Sequence, residues 1–315
     1  MRELVASPHN PIPEGATVYA LKTRDGRRLR AAAFPCSEKA RGTVALFQGH
    51  NEFIEKYFET IEDLRRRRLD VVALDWRGQA GSERELADPR KGHIDDFSQY
   101  QRDLDVFITH VLSDRPQPWF ALAHSMGAAI MLDAAHSGRT PFQRFVLTAP
   151  MIDLANLRFP RATRWLADTL DMCGFGGMYI PGGTGASFIE RPFKGNLLTT
   201  DPVRFERNAG ILRVAPQLAI GDPTIGWANA AFRLMRGFES PDYARRIRAA
   251  VLMFGCGREM IVSNAAIERF APNLNSGALA MIPGAKHELM MERDEFRSQF
   301  WRAFDAFIPG EVYVA

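Results

Sequence analysis

Cysteine is scarce in this chain: Cys36, Cys173 and Cys256 are the three among 315 residues. An odd count cannot close a full set of bridges, and the spacing matches no zinc pattern, so neither a disulfide scaffold nor a thiolate metal centre is expected. A reducing compartment follows as the default. Long apolar runs are missing as well. No stretch approaches the roughly 18 apolar residues of a membrane span, and Met1–His9 lacks the apolar centre of a signal peptide. The expectation is a cytoplasmic protein, with peripheral contact at the inner membrane face left open. Charge of one sign is not in excess, since 40 basic residues stand against 37 acidic ones for a net +3, and no nucleic-acid footprint is implied. The run Arg65–Arg68 is the local exception. At the end of a predicted helix its cations complement the helix dipole, and it reads as a solvated face, with an anionic bilayer as the alternative.

Two ligand signatures are incomplete. The glycines at 174, 176, 177, 182, 183 and 185 are not followed by Lys-Ser/Thr and do not join a strand to a helix, so they read as a flexible lid, not a phosphate loop. The run His287–Met291 has no second histidine at the H-E-x-x-H spacing. No metal and no organic cofactor is expected.

What is present is a 46% hydrophobic composition arranged as alternating strands and helices. Thr17–Lys22 and Arg28–Phe34 flank an Asp25-Gly26 turn and read as an antiparallel hairpin. Short apolar strands follow at Gly42–Phe47, Val71–Leu74, Pro118–Ala123, Arg144–Leu147, Ala250–Phe254 and Ala278–Ile282, with helical patterns between most of them. This predicts an α/β protein: a mostly parallel eight-stranded sheet with helices on both faces. The last helix, about 292–307, carries Phe296, Phe300, Phe304 and Phe307 at helical spacing, read as core. Between Pro150 and about Ser240 the alternation breaks into helices such as Ala162–Cys173 and Pro202–Leu218 among loops rich in glycine and proline. Residues 150–240 are therefore expected to form a cap on a core of 1–149 and 241–315. Phe175, Met178, Tyr179, Ile180, Phe188 and Phe193 either line an acyl channel there or pack the cap onto the core.

The most informative residues are Ala123–Gly127, which set Ser125 between an apolar strand and a helix that starts at once. In a nucleophile elbow of the G-x-S-x-G kind, small residues two before and two after the serine let strand and helix approach, while the serine's strained backbone exposes its oxygen. The partners come in the order serine, acid, histidine. His287 follows the strand ending at Ile282 and a Pro283-Gly284 turn, and is the candidate base. Glu259 follows the strand ending near Phe254 and is the chosen acid, able to orient the imidazole and stabilise its protonated form. Asp242, Asp222 and Asp201 also lie between serine and histidine; Asp242 precedes its strand, which counts against it. For an oxyanion, the backbone amides of Met126 and His50 are the candidate donors, with Gly49 allowing close approach. The His50 side chain is read as facing solvent.

These segments resemble the alpha/beta-hydrolase superfamily, and within it the group of lysophospholipases and monoacylglycerol lipases. The resemblance covers most of the chain: Gln48–Glu52, His124–Gly127, Asp75–Ser82 (similar to a D-x-R-G-x-G-x-S loop), Gly92–Phe97 (G-H-x-x-x-F) and Gly257–Val262 (G-x-D-x-V-V). Asn196–Pro202 and Gly221–Trp227 look like the bacterial lysophospholipase branch. The chain departs from the family at Gln48 (more often histidine), at Ala80 and Ala123 (glycine) and at Glu259 (usually aspartate). The resemblance implies an alpha/beta-hydrolase fold with an inserted helical cap, and a serine hydrolase acting on a lipid ester, lysophospholipid first. A monoacylglycerol lipase or general carboxylesterase is the alternative, and an inactive scaffold that binds a hydrophobic ligand is the second.

Overall fold

The computed structural model describes residues 3–309. Its strands are β1 (Thr17–Lys22), β2 (Arg28–Phe34), β3 (Thr43–Phe47), β4 (Asp70–Leu74), β5 (Trp119–His124), β6 (Arg144–Thr148), β7 (Ala250–Cys256) and β8 (Gly277–Ile282). They form one eight-stranded sheet in the order β1-β2-β4-β3-β5-β6-β7-β8. The two pairings made by β2 are antiparallel and the other five are parallel. The described α-helices are α1 (Phe58–Arg66), α2 (Ser98–Phe107), α3 (Ser125–Ser137), α4 (Pro160–Leu170), α5 (Pro202–Val214), α6 (Ile225–Phe238), α7 (Pro241–Arg245), α8 (Asn264–Phe270) and α9 (Asp294–Phe307), with short 3-10 and π turns between them. Every residue of β3 and β4 is buried, as a central strand covered on both faces requires, and this is why their sequences read as continuous apolar runs. In α9, Phe300 and Phe304 are fully buried while Phe296 and Phe307 pack at the edge of the core.

Register brings the carboxyl ends of the parallel strands to one side of the sheet. Phe47 pairs with Ala123, His124 with Thr148, Thr148 with Phe254, and Cys256 with Ile282. The loops that follow these strands therefore share one rim, where open α/β sheets bind ligands.

The segment between β6 and β7 contributes four α-helices, the short α7 being the last before β7. Two lie where the sequence predicts them, as α4 and α5. The third, α6, is capped by the Thr224 hydroxyl, which accepts from the Trp227 amide at 3.2 Å. Its Trp227, Phe232, Met235 and Phe238 join the main core, whereas Phe205, Ile211 and Leu212 of α5 join a smaller cluster with Phe53 and Ala80. The glycine-rich stretch expected to be a loose lid is instead bonded to the chain before α6. Gly226 N donates to Gly176 O at 2.8 Å, Ile180 N to Pro223 O at 3.1 Å and Asp222 N to Thr184 O at 2.9 Å. A Cβ on Gly221 would fall 2.2 Å from Thr184 O, so glycine serves close backbone approach here.

The arginine run differs in part from its expectation as a solvated face. Arg65 pairs with Glu62 at 2.5 Å, and Arg67 reaches Asp305 at 2.7 Å while its guanidinium stacks 4.1 Å from the Trp301 ring. Arg66 and Arg68 are the more exposed members, and each still has an acidic partner, Asp63 and Glu38. Pairing and stacking hold Arg65 and Arg67, while Arg66 and Arg68 remain on the solvated side.

Candidate active site

Ser125 begins α3 directly after β5, with no intervening residue and with φ of +50°. Left-handed backbone at a residue carrying a Cβ costs on the order of 1–3 kcal/mol and persists only where the surroundings impose it. They do so through Gly127: a Cβ there would lie 2.6 Å from the carbonyl oxygens of both Phe47 and Gln48. The missing methyl lets α3 press against the end of β3, and Ala123, fully buried, is small enough on the strand side.

Across the same rim, His287 Nε2 stands 3.0 Å from Ser125 Oγ, and His287 Nδ1 stands 2.8 Å from Glu259 Oε2. All three predicted residues are brought together. The second carboxylate oxygen, Glu259 Oε1, accepts from the amides of Met260 (3.0 Å), Ile261 (2.8 Å) and Val262 (3.2 Å). This turn fixes the longer side chain and aims one oxygen at the imidazole. Burial opposes ionisation of Glu259, but the imidazole beside it and the Ile261 and Val262 amides hold its carboxyl below the ordinary value. Burial likewise opposes charge on His287, and Glu259 outweighs it, so the imidazole titrates above 6.5.

The other acids considered are committed elsewhere. Asp201 caps α5 through the amides of Val203 and Arg204, Asp222 pairs with Arg191, and Asp242 pairs with Arg245.

Facing Ser125 is the loop after β3. A Cβ on Gly49 would lie 3.2 Å from Ser125 Cβ, which brings this backbone to the serine. The Gly49 amide is taken by Glu52 Oε2 (2.5 Å) and that of Asn51 by Gln79 Oε1 (3.2 Å). Between them, the His50 amide takes no acceptor among the described residues. Met126 lies in the first turn of α3, where helical amides have no acceptor within the helix. The His50 side chain is only partly on solvent: the residue is half-buried, its ring packs 4.5 Å from that of Trp227, its Nε2 is buried without a partner among the described residues, and burial pulls its pKa down to about 4. Apolar burial against Trp227 outweighs hydration of a ring that stays neutral.

The departures noted in the sequence have local accommodations. Gln48 Nε2 donates to Asp75 Oδ1 at 2.6 Å, and Ala80 adopts φ of +51°, the region where a glycine would be unstrained. Of the residues offered as channel lining, Phe175 and Met178 are exposed and Phe193 packs edge-on against Phe205. Ser125 and His287 are themselves no more than 8% exposed.

Sequence reasoning missed a buried polar cluster beside this site. Lys56 Nζ lies 2.5 Å from both Glu52 Oε1 and Glu288 Oε1, Tyr57 OH donates to Glu52 Oε2 at 2.7 Å, and the His124 ring lies 4.7 Å from that of His287. The adjacency of Glu288 to His287 was the one available signal.

The Hydrolase_4 family, described as serine aminopeptidase, S33, matches residues 38–294. Lysophospholipase L2 of Escherichia coli K12 is 30% identical over 268 residues, covering 81% of this chain and 76% of that protein. The monoglyceride lipase of Rattus norvegicus is 33% identical over 137 residues, 43% of each chain. Among solved structures, a soluble variant of monoglyceride lipase from Saccharomyces cerevisiae superposes with a TM-score of 0.73 at 19% identity, covering 95% of this chain and 98% of that one. The sheet order, the crossovers and this likeness establish the alpha/beta-hydrolase fold.

Proposed function

Because the chain belongs to the Hydrolase_4 family (serine aminopeptidase, S33), we propose that it is a serine hydrolase cleaving a carboxylic ester of a lipid, with lysophospholipid as the substrate class. The observation that carries this reading is the continuous hydrogen-bonded path from Ser125 Oγ through both nitrogens of His287 to Glu259. Ser125 attacks the ester carbonyl as His287 Nε2 takes its proton, and Glu259 holds Nδ1–H and balances the imidazolium. The amides of His50 and Met126 receive the tetrahedral oxyanion. His287 then protonates the departing alcohol, and water activated by the same nitrogen releases the fatty acid from Ser125. A monoacylglycerol is the second reading, favoured by the monoglyceride lipase relative. In both, residues 150–240 act as the cap that shapes the acyl site.

Incubating the purified protein with lysophospholipids, monoacylglycerols and short p-nitrophenyl esters tests the substrate class. Fatty-acid release is expected to be fastest from lysophospholipid, and a faster monoacylglycerol would replace it. Hydrolysis confined to short esters would reject a lipid substrate. A fluorophosphonate that fails to label the protein would leave only a ligand-binding scaffold.

Peripheral membrane contact belongs to the same reading. Phe159, Trp165 and Met172 are 63%, 68% and 82% exposed along α4 and its flanks, and Arg158 and Arg161 are exposed beside them. Aromatic and basic groups on one surface suit an anionic lipid interface. Replacing Trp165 by glutamate removes apolar burial and adds repulsion, so the partition coefficient onto anionic vesicles is expected to fall about tenfold. Co-sedimentation reads this; unchanged binding would remove α4 from the contact.

A further inference from the structure

A fully buried lysine is costly unless it is paired and hydrogen-bonded, and Lys56 lies on the short 3-10 turn Ile54–Tyr57 with no solvent exposure. Its two partners belong to different loops. Glu52 closes the loop after β3, where its other oxygen accepts from the Gly49 amide and from Tyr57. Glu288 directly follows His287 in the loop after β8, and its backbone amide donates to Leu198 O at 2.8 Å. Through one ammonium, the chain that faces Ser125 is thus joined to the chain that carries the imidazole, although Lys56 and Glu288 are 232 positions apart.

We infer that Lys56 is a positioning residue: gripping Glu52 and Glu288 together, it fixes the Gly49–His50 backbone and the His287 loop relative to Ser125. This rests on the serine-hydrolase reading above. The cluster also shapes the charge that His287 faces. Around the ring lie His124 at the end of β5, Ser125 at the start of α3, Glu259 after β7, Glu52 with Lys56 behind it, and Glu288 on its own loop, while the Cys256 thiol donates to the His287 carbonyl oxygen. His124 stays neutral because burial pulls its pKa down to about 3. Two carboxylates against one ammonium leave an excess of negative charge behind the imidazole. After burial, which opposes it, and Glu259, both Glu288 and Glu52 favour the protonated ring.

The test uses Lys56→Met, Lys56→Arg and Glu288→Gln in the full chain with a short p-nitrophenyl ester as probe. Misplacement of the amide loop is expected to lower kcat of Lys56→Met about 10²-fold with KM little changed, and Lys56→Arg is expected to recover most of that loss. Glu288→Gln removes the excess negative charge, so the acid limb of its kcat/KM profile is expected to move to lower pH. A purely structural role would lower Tm without moving that limb. Wild-type protein that neither turns over the probe nor takes a fluorophosphonate label would overturn the serine-hydrolase reading itself. Active wild type with unchanged kcat in Lys56→Met, or an unmoved acid limb in Glu288→Gln, would overturn the positioning role alone. Should Lys56→Met not fold, the limb in Glu288→Gln decides the question.

Discussion

Ser125→Ala is expected to lower kcat by about 10⁶-fold, the scale seen when a hydroxyl nucleophile is deleted from such a relay. The loss follows from geometry. Oγ is the atom 3.0 Å from His287 Nε2, and alanine offers nothing for that nitrogen to deprotonate. Turnover that survives would come from water attacking under the His50 and Met126 amides, which are unaltered by the substitution. Fold stability is expected to change little. Alanine and serine meet the same backbone penalty at φ of +50°, and the cradle formed by Ala123 and Gly127 is untouched. Ester hydrolysis, fluorophosphonate labelling and thermal denaturation check the three parts together. Retained turnover would place the nucleophile elsewhere, while a large drop in Tm would make the activity loss uninformative.

The serine, histidine and glutamate were readable because each sits just past an apolar strand, Ser125 directly and Glu259 and His287 after a turn that contains glycine. A parallel sheet makes such patterns meaningful, since equal strand directions put the following loops on one rim. The polar cluster had no such signature. In Gln48–Tyr57, Glu52 and Lys56 look like an ordinary solvated pair four residues apart, and only tertiary contact with Glu288 shows that the lysine is buried. The same limit explains part of the arginine run: Arg67 and Arg68 meet Asp305 and Glu38, remote in sequence, whereas Arg65 and Arg66 pair locally with Glu62 and Asp63. It also explains His50, whose partial burial depends on Trp227 of α6. Glycines 176 and 185 looked like flexibility because a single strand of sequence cannot reveal the second backbone, at Gly226 and Gly221, that packs against them. Local propensity and periodicity thus located the strands and the three residues that the fold brings together, whereas long-range pairing decided which charges leave water.

Glu259→Gln is expected to lower kcat by about 10⁴-fold, the scale of the equivalent acid-to-amide change in a serine triad. The turn that holds Glu259 makes the cause specific. Oε1 accepts from three amides, so the glutamine oxygen must remain there and its NH2 must point at His287 Nδ1. Nδ1 then becomes an acceptor and the ring proton moves to Nε2, where it faces Ser125 Oγ and blocks deprotonation. The pH profile separates this from simple loosening. In the wild type, Glu259 raises His287 above 6.5, so the neutral imidazole and kcat/KM are lost as pH falls through that raised value. Stability has the opposite sign. The histidine part of the pair is fully present below the unfolded histidine value and is lost as pH rises through the folded one. The Glu259 part, with its folded value depressed, is present above the unfolded carboxyl value and is lost as pH falls through the folded one. The ion pair therefore stabilises most in the mildly acidic window where the enzyme is least active. With glutamine the imidazole loses its principal cationic support, so the acid limb is expected to move to lower pH and the mildly acidic stability gain to disappear. Activity and Tm measured across pH 4–9, an interval of about five units around the ordinary histidine value, check both. An unmoved limb would mean that another group holds His287.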